Sequence, residues 1–294
     1  MVVFYRRMPE FDYVRPRSLD EALDLVGEAE AGQYRVFAGG TDILEQLKTR
    51  KVATPEAVVD LKCIPELGGV EREEDGALRI GATASVAEIA ASPGAAGANA
   101  ALAQGSREIA SVQIQNRATI VGNICNAVSS ADSAPPLLAL DARVVCAGAG
   151  GERSIDIADF FEGPGRPALR PGEIVRSIRV PARSANWRSV YLKLAPRGKM
   201  DLAWVGVAVA AAIDNGEIKD IRIALGAVAP TPIRALKAEE VLRGQTIEPD
   251  LVNHAAETAA GEADPRADSF RASADYRREV IDVLVRRAIN QLAA

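Results

Sequence analysis

Histidine is almost absent from this chain. The 294 residues include a single histidine, His254, in an alanine-rich segment near the C-terminal end. A Ser-His-Asp triad, a histidine metal site or a Cys-His pair would each have to use that residue. We interpret His254 as a partly exposed helix residue. A chain with so few acid/base and metal-binding groups is expected to take its chemistry from an organic cofactor.

Cysteines are also few and are not arranged for metal binding. Cys63, Cys125 and Cys146 are far apart, odd in number and in no metal-ligand spacing. This pattern favours a reducing compartment, so we expect a cytoplasmic protein, and it predicts no iron–sulfur cluster within this chain.

The chain lacks a long apolar run and an excess of basic residues. Its longest apolar run, Leu202 to Ile213, is well short of the roughly 20 residues that a membrane helix needs. The segment MVVFYRRMPEF at the start shows no signal-peptide pattern, so we expect no targeting segment there. The net charge of -5 argues against nucleic-acid binding. Hydrophobic residues make up 48% of the chain, which predicts a globular protein with a sizeable core.

Two glycine motifs stand out from this background. The first is Val36 to Ile43, VFAGGTDI, and the second is Thr119 to Asn126, TIVGNICN. In the first, apolar residues lead into a glycine pair, as they do where a strand ends in a tight turn before a helix. Glycine allows the backbone to come close to a ligand, and N–H groups at the start of a helix favour an anion. The two motifs together predict a site for a phosphate-containing cofactor.

Each motif alone has a simpler explanation. A Gly-Gly pair is more often a plain turn with no ligand. A third glycine-rich stretch, residues 147–151, lacks the last glycine of a dinucleotide loop and lies between two strand-like runs. We therefore interpret residues 147–151 as a hairpin turn.

The pattern of apolar residues divides the chain into three parts, with boundaries near residues 61 and 180. Residues 1–61 alternate strands and helices, with a buried strand from Tyr34 to Ala38, and predict an α/β subdomain. In residues 62–180 a capping box at Ser85 and Glu88 opens a helix, and a short helix is predicted from Ile155 to Phe161. Residues 181–294 predict an α+β domain of three antiparallel strands followed by three helices, with Asp214-Asn215-Gly216 as a hairpin turn.

These motifs resemble the FAD-binding medium subunit of molybdenum hydroxylases, the family of xanthine dehydrogenase and aerobic CO dehydrogenase. The matching stretches are AGGTD at residues 38–42, TIVGN at 119–123, RGKMDLA at 197–203, and a tail at 270–278. The likeness extends over essentially the whole chain. It implies an α+β fold with a two-part FAD-binding domain of the vanillyl-alcohol-oxidase (PCMH) type, residues 1–61 and 62–180, followed by the C-terminal α+β domain, 181–294.

The resemblance implies that FAD lies extended and non-covalently bound between the first two parts, with its pyrophosphate held by two loops. The residues implied in the first loop are Val36, Phe37, Ala38, Gly39, Gly40, Thr41, Asp42 and Ile43. Those implied in the second loop are Thr119, Gly122 and Asn123.

Four more residues are assigned to the cofactor by the resemblance. Asp132 matches an acid that contacts FAD, although a helix N-cap explains it equally well from the residues alone. Ile109 stands where relatives pack a bulky, often aromatic, side chain on the cofactor. Val175 matches a position that borders the flavin ring. Lys193 matches a lysine near the ring, where a cation stabilises the reduced anion and raises its potential; its pattern alone indicates a polar-face strand residue.

The resemblance also includes one access loop and one departure from the family pattern. Arg197 and Asp201 lie in a loop that in relatives approaches the flavin and controls access; by themselves they would form a surface ion pair. Val121 stands where many relatives have a third glycine, which predicts a shifted second loop.

The resemblance implies an electron-transfer subunit, with no catalytic residue of its own. FAD would receive electrons from 2Fe-2S clusters of a small partner subunit, while a large subunit holds the molybdenum cofactor and oxidises the substrate. The expected assembly is a dimer of such heterotrimers, with no nucleic acid and no membrane span. The alternatives are a free-standing FAD-dependent oxidase, which would need its own acid/base group, and a cofactor-free scaffold or assembly protein, which would be marked by damaged glycine loops.

Overall fold

The computed structural model describes residues 7–28, 30 and 32–293. The strands are β1 Asp12–Val14, β2 Tyr34–Phe37, β3 Ala57–Asp60, β4 Val70–Arg72, β5 Leu78–Gly81, β6 Arg143–Gly148, β7 Gly151–Asp156, β8 Phe161–Gly163, β9 Arg166–Pro167, β10 Ile174–Val180, β11 Trp187–Leu194, β12 Val205–Asp214, β13 Glu217–Gly226 and β14 Ile233–Arg234. The α-helices are α1 Leu19–Glu28, α2 Ile43–Thr49, α3 Val86–Ala91, α4 Ala100–Glu108, α5 Val112–Gln115, α6 Ile120–Cys125, α7 Ala134–Ala139, α8 Leu236–Leu242, α9 Pro249–Glu262 and α10 Ala274–Ala293. None of the helices in this described part is both long and apolar enough to cross a membrane.

The first sheet is parallel and has three strands in the order β1-β3-β2. β3 is buried along its whole length because it lies between the other two strands. The prediction of a buried strand at Tyr34 is wrong in its burial: β2 is an edge strand, and Arg35 and Val36 are exposed while Phe37 is buried. The strand β1 was not predicted, since its three residues, Asp12 to Val14, show no alternating pattern.

The second sheet is antiparallel and has five strands in the order β4-β5-β10-β6-β7. β6 and β7 form the predicted hairpin, with Gly148 paired to Gly151. The capping box is confirmed, because Ser85 Oγ accepts the Glu88 N–H while the Glu88 side chain accepts the Ser85 N–H. The predicted helix at 155–161 is wrong: β7 continues to Asp156, and only one 3-10 turn, Ile157–Asp159, follows.

The third sheet is antiparallel and has four strands in the order β11-β12-β13-β14, where three strands were predicted. The extra strand, β14, has only two residues, which pair with Ala224 and Leu225, so it left no periodic signal. The hairpin at residues 214–216 is confirmed, with Asn215 and Gly216 at φ of 48° and 81°. These left-handed values are the ones that a two-residue hairpin turn requires.

Strand β12 is buried on both faces. Its alanines Ala208, Ala210 and Ala212 belong to the core shared with the second sheet, against α4 and α7. Its valines Val205 and Val207, with Val209, belong to a second core formed with α8, α9 and α10. The continuous apolar run in the sequence follows from this position, because a strand covered on both faces needs no alternation. The α+β class expected from the sequence is confirmed.

Candidate functional site

The two glycine motifs lie against each other. A Cβ atom added at Gly39 would lie 2.8 Å from the Cα of Ala118 and would overlap the carbonyl oxygen of Arg117. Gly39 therefore allows the first loop to pack on the backbone that leads into the second. Gly40 has a φ of 75°, a left-handed value that favours glycine, and its hydrogen faces the ring of Phe37.

The second loop is the start of α6. Thr119 is its N-cap, and the Thr119 hydroxyl accepts a hydrogen bond of 2.9 Å from the N–H of Gly122. Gly122 is exposed, whereas Val121 is buried to 93% in the core. Because Val121 points into the core and the Thr119 cap is formed, this valine fits within α6 without breaking the loop.

Polar side chains also join the two motifs. The Asn126 amide donates a hydrogen bond of 3.2 Å to Asp42 Oδ1, and Gln46 donates one of 3.4 Å to Asn126 Oδ1. Asp42 lies in the first motif and Asn126 ends the second, so the structure brings together the two motifs that are more than 75 residues apart in the sequence.

Three residues that sequence reasoning missed support the first loop. Lys62 Nζ donates to the carbonyl oxygen of Ala38 at 2.9 Å and lies 4.2 Å from the centre of the Phe37 ring. The same ammonium is 2.6 Å from Asp60 Oδ1, and Tyr13 donates to the other oxygen of Asp60. Burial alone would raise the pKa of Asp60, but the hydrogen bonds from Lys62 and Tyr13 outweigh it and lower the pKa. Asp60 is therefore held as a carboxylate that fixes Lys62 beside the loop.

Asp132 and Lys193 form a buried ion pair at a second centre of the site. Their side chains are 9% and 5% exposed, and Nζ is 2.8 Å from Oδ2. Tyr191 donates its hydroxyl to Asp132 Oδ1 at 2.7 Å. Burial raises the pKa of Asp132 in spite of the lysine beside it, and burial next to Asp132 raises the pKa of Tyr191 well above its usual value. Tyr191 therefore stays a neutral donor.

The ammonium of Lys193 has two further acceptors. It donates to the carbonyl oxygens of Asp201, at 2.8 Å, and Glu108, at 3.2 Å. Lys193 therefore joins the end of α4, the start of α7 and the loop that follows β11. The alternative of a polar-face strand residue is wrong for Lys193, because its side chain is buried and has three partners.

A short connection joins this ion pair to the second glycine loop. Ser133, next to Asp132, donates its hydroxyl to Asn123 Oδ1 at 2.6 Å. Asp132 itself does not act as the N-cap of α7, since that position is Ser133 and no side chain caps the helix. The alternative explanation that the sequence left open for Asp132 is therefore excluded, and Asn123 is placed between the loop and the ion pair.

Two glycines outside the motifs allow these close contacts, and no local pattern in the sequence points to them. A Cβ at Gly206 would lie 2.6 Å from the Tyr191 hydroxyl, so only glycine leaves that hydroxyl room to reach Asp132. A Cβ at Gly105 would lie 2.7 Å from the carbonyl oxygen of Asp132, so α4 crosses close to it.

Ile109 and Val175 are more buried than we expected for side chains that contact a cofactor. Ile109 directly follows Glu108 at the end of α4 and is 8% exposed. Val175 lies in β10 opposite Cys146 and is 4% exposed. Since both side chains belong to the core of the second sheet, their contacts with a flavin ring stay predictions.

The loop after β11 covers a cavity of about 270 Å³ beside Lys193. Arg197 and Asp201 form the predicted ion pair, with Nε 3.1 Å from Oδ2, and the arginine is largely exposed. Lys199 in the same loop pairs with Glu108 at 2.9 Å. The loop is thus tied to α4 and to Lys193, while Met200 and Leu202 stay exposed.

No cluster of three or more histidine, cysteine or acidic residues suited to a metal ion occurs among residues 7–28, 30 and 32–293. His254 lies on the exposed side of α9, as predicted, away from the glycine loops in the sequence.

Comparison with known families decides the classification. Residues 9–183 match the sequence model of the FAD binding domain in molybdopterin dehydrogenase, and residues 190–292 match the CO dehydrogenase flavoprotein C-terminal domain. The chain belongs to the FAD-binding medium subunits of the xanthine dehydrogenase and CO dehydrogenase family. The resemblance seen in the motifs is therefore confirmed, and so are the flavoprotein class and the oxidoreductase class.

Individual relatives match over nearly their full length. The xanthine dehydrogenase FAD-binding subunit of Escherichia coli O157:H7 is 33% identical, with 96% of each chain covered. The glyceraldehyde dehydrogenase medium chain of Sulfolobus acidocaldarius is 34% identical, with 97% of this chain and 99% of the relative covered. A solved structure of carbon monoxide dehydrogenase from Hydrogenophaga pseudoflava, which lacks the Mo-pyranopterin moiety of the molybdenum cofactor, superposes with a TM-score of 0.91 at 34% identity, covering 97% of each chain.

Proposed function

We propose that this chain is the electron-transfer subunit of a molybdenum-containing hydroxylase. The observation that supports this most directly is the contact between the two glycine loops, with Gly39 packed on the backbone of Ala118. That contact creates one continuous backbone surface from two motifs of an FAD-binding family.

The residues of this surface fit a diphosphate. Gly39 and Gly40 allow the first loop to fold tightly beside the second. Gly122 is exposed at the start of α6, and the N–H groups of Gly39 to Thr41 donate to no other backbone group among the described residues. These unpaired N–H donors favour a ligand with many acceptor oxygens, such as a diphosphate. Lys62, 2.9 Å from the Ala38 oxygen, brings an ammonium group close to this loop, paired with the Asp60 carboxylate. Val36 is 41% exposed beside it and offers apolar surface to the rest of the cofactor.

Bound FAD would supply the redox chemistry needed for electron transfer between 2Fe-2S clusters of a small partner subunit and an external acceptor. The residues of this chain bind and orient it. The glycine loops hold the diphosphate, with Thr119 and Asn123 fixing the second loop. Lys193, paired with Asp132, holds the end of α4 and the loop after β11 in place. No general acid or base is required, in agreement with the exposed position of His254.

The expected assembly contains this chain, a large subunit with the molybdenum cofactor and a small subunit with the clusters. The names of the relatives, medium chains of several dehydrogenases, support this arrangement. A dimer of such heterotrimers is the form we propose. The loops are intact here, which argues against a cofactor-free scaffold. The single histidine, His254, is exposed on α9, which argues against a free-standing oxidase that would use it as a buried acid/base group.

The first experiment is the visible spectrum of the purified chain, with chromatographic identification of any flavin released on heating. Released FAD supports the proposal, and co-expression with its partners should then give flavin bleaching on addition of the complex's substrate. A colourless protein that also takes up no added FAD would contradict the cofactor assignment. A flavin that bleaches with substrate in the isolated chain would instead favour the free-standing oxidase.

A further inference from the structure

A second cleft lies apart from the glycine loops. It has a volume of about 660 Å³ and is bounded by the end of β4, the turns before α4, the first residues of β11 and the end of α10. Small-molecule sites in proteins commonly have volumes of about 300–1,000 Å³. The cleft is therefore large enough for a compound of the size of a sugar phosphate or a mononucleotide.

All the charged residues in the wall of this cleft are arginines: Arg72, Arg183 and Arg188. Arg183 is paired with Asp141 at 2.8 Å. Arg72 and Arg188 donate only to carbonyl oxygens, of Gly76 at 2.9 Å and Leu292 at 3.3 Å, and form no ion pair with any described residue. A chain with a net charge of -5 thus has a concave surface with at least two uncompensated positive charges. Clefts lined by one sign of charge concentrate ligands of the opposite sign.

The same wall contains a buried acceptor without a partner. Asn99 is 7% exposed, its amide nitrogen donates to the Gly94 oxygen at 3.0 Å, and its Oδ1 has no hydrogen-bond partner. Turning the side-chain amide over, so that its oxygen and nitrogen exchange places, would not satisfy it either, because the oxygen would then face the Gly94 oxygen, which needs a donor. An unsatisfied buried acceptor costs about 1–3 kcal/mol, a cost that a donor reaching this oxygen, from a ligand hydroxyl or from a water molecule, would remove.

The aromatic group of the cleft limits the ligand further. The Trp187 ring is covered by the guanidinium of Arg183, 4.1 Å from the ring centre, and approached by Arg222 at 5.1 Å. Trp187 is 9% exposed, which leaves no free face for stacking a base or a flavin. Recognition must therefore rest on charge and hydrogen bonds.

We propose that this cleft binds a small phosphorylated compound with hydroxyl groups. Arg72 and Arg188 bind the phosphate, as guanidinium groups do through paired N–H donors, and Asn99 Oδ1 accepts from a hydroxyl. The site is distinct from the glycine loops. Helix α4 separates the cleft from the Lys193 centre: the Ala101 N–H at its start donates to Ser189 Oγ, and the Glu108 oxygen at its end accepts from Lys193. Nine helical residues correspond to about 13 Å.

The test is isothermal titration calorimetry of the full chain with ribose 5-phosphate and with inorganic phosphate. Neither probe contains an adenine or flavin ring, and the titrations are repeated with FAD in excess so that the glycine loops are covered. We expect saturable binding of both probes, unchanged by FAD, with ribose 5-phosphate binding more tightly because it offers hydroxyl donors. The double variant Arg72→Gln, Arg188→Gln should weaken binding at least tenfold. Arg287→Gln, an exposed arginine on α10 outside the cleft, is the matched control and should leave the affinity unchanged.

Four results would overturn the proposal in whole or in part. If neither probe binds saturably, or if the double variant binds as tightly as Arg287→Gln, the cleft is not a phosphate site. Equal affinity for the two probes would overturn the role assigned to Asn99. Loss of binding when FAD is added would place the probe in the glycine loops and would also overturn the proposal.

Discussion

Lys193 Nζ and Asp132 Oδ2 form an ion pair, 2.8 Å apart, whose side chains are almost inaccessible to water. The pair is neutral as a unit, so the charge that the lysine would present to a nearby flavin is partly cancelled. Removing only the lysine would leave one buried carboxylate, whose pKa is already raised by burial. The electrostatic effect of this lysine therefore depends on whether Asp132 is ionised.

Replacing Lys193 with methionine should destabilise the chain by about 3 kcal/mol in urea unfolding, because breaking a buried ion pair leaves one charge uncompensated. The same variant should lower the midpoint potential of bound FAD. The fall should be larger at about pH 8 than at about pH 6, since Asp132 without its lysine is protonated more readily as the pH falls. Tyr191→Phe is the control, because it removes a donor to Asp132 without changing charge. A potential equally shifted in both variants would remove Lys193 from the flavin site.

Gly39→Ala should separate the two glycine loops, because the added methyl group would lie 2.8 Å from the Ala118 Cα. We expect a loss of about 1–3 kcal/mol in stability, typical of overpacking, and at least a tenfold weaker affinity for FAD. Gly150→Ala is the matched control, since nothing lies within 4 Å of a Cβ there. Equal FAD affinity in the two variants, measured by flavin fluorescence, would show that the contact is not needed for the cofactor.

Gly40 is a less informative position for such a test. Its φ of 75° and the Phe37 ring beside it mean that any side chain would strain the loop whether or not FAD binds there. A loss of flavin from a Gly40 variant would therefore not distinguish a strained loop from the loss of a direct contact with the cofactor.

Asp60→Asn should show a pH-dependent loss of stability. The pKa of Asp60 is lower in the folded protein than its usual 3.8, so its carboxylate stabilises the fold above about pH 4, and that contribution is lost as the pH falls further. Urea unfolding of the parent and the variant should differ by about 2 kcal/mol near neutral pH, and the difference should shrink below about pH 4. A difference that grows in acid would mean that Lys62 and Tyr13 do not stabilise the ionised form.

Asp141→Asn should weaken the contact between the second and third sheets. Asp141 accepts from Arg183 at 2.8 Å and from Arg234 at 3.0 Å, and it is also paired with Arg222. Asparagine tolerates the left-handed φ of 49° at this position, so the backbone is not strained. We expect a loss of about 1–3 kcal/mol. Asp156→Asn, which breaks one exposed pair with Arg143, should cost less than about 0.5 kcal/mol; equal losses would contradict the network.

Local signals in the sequence predicted much of this molecule. The hairpin at Asn215 and Gly216 and the capping box at Ser85 and Glu88 depend on neighbouring residues, so composition and spacing were sufficient. The glycine motifs were recognisable for the same reason. Short or edge strands were missed, because the two residues of β14 and the three of β1 are too few to show a period.

The contacts that build the site were harder to predict from the sequence. The distance between Lys193 and Asp132 in the sequence is 61 residues, and Lys62 meets Ala38 only after two strands have paired. Gly206 is needed because Tyr191 reaches across to Asp132, a requirement that no local pattern records. Long-range polar contacts of this kind, and the burial of Lys193, depend on how distant elements pack together, which local sequence patterns do not show.

The two covered faces of β12 have a consequence for unfolding. The family matches divide the chain between residues 183 and 190, but the alanine face of β12 covers α4 and α7 from the other side of that division. Melting the third sheet would therefore expose core of the second sheet. The two regions should melt together in a single calorimetric transition, and a fragment ending at residue 183 would keep the glycine loops yet present a bare apolar surface to water.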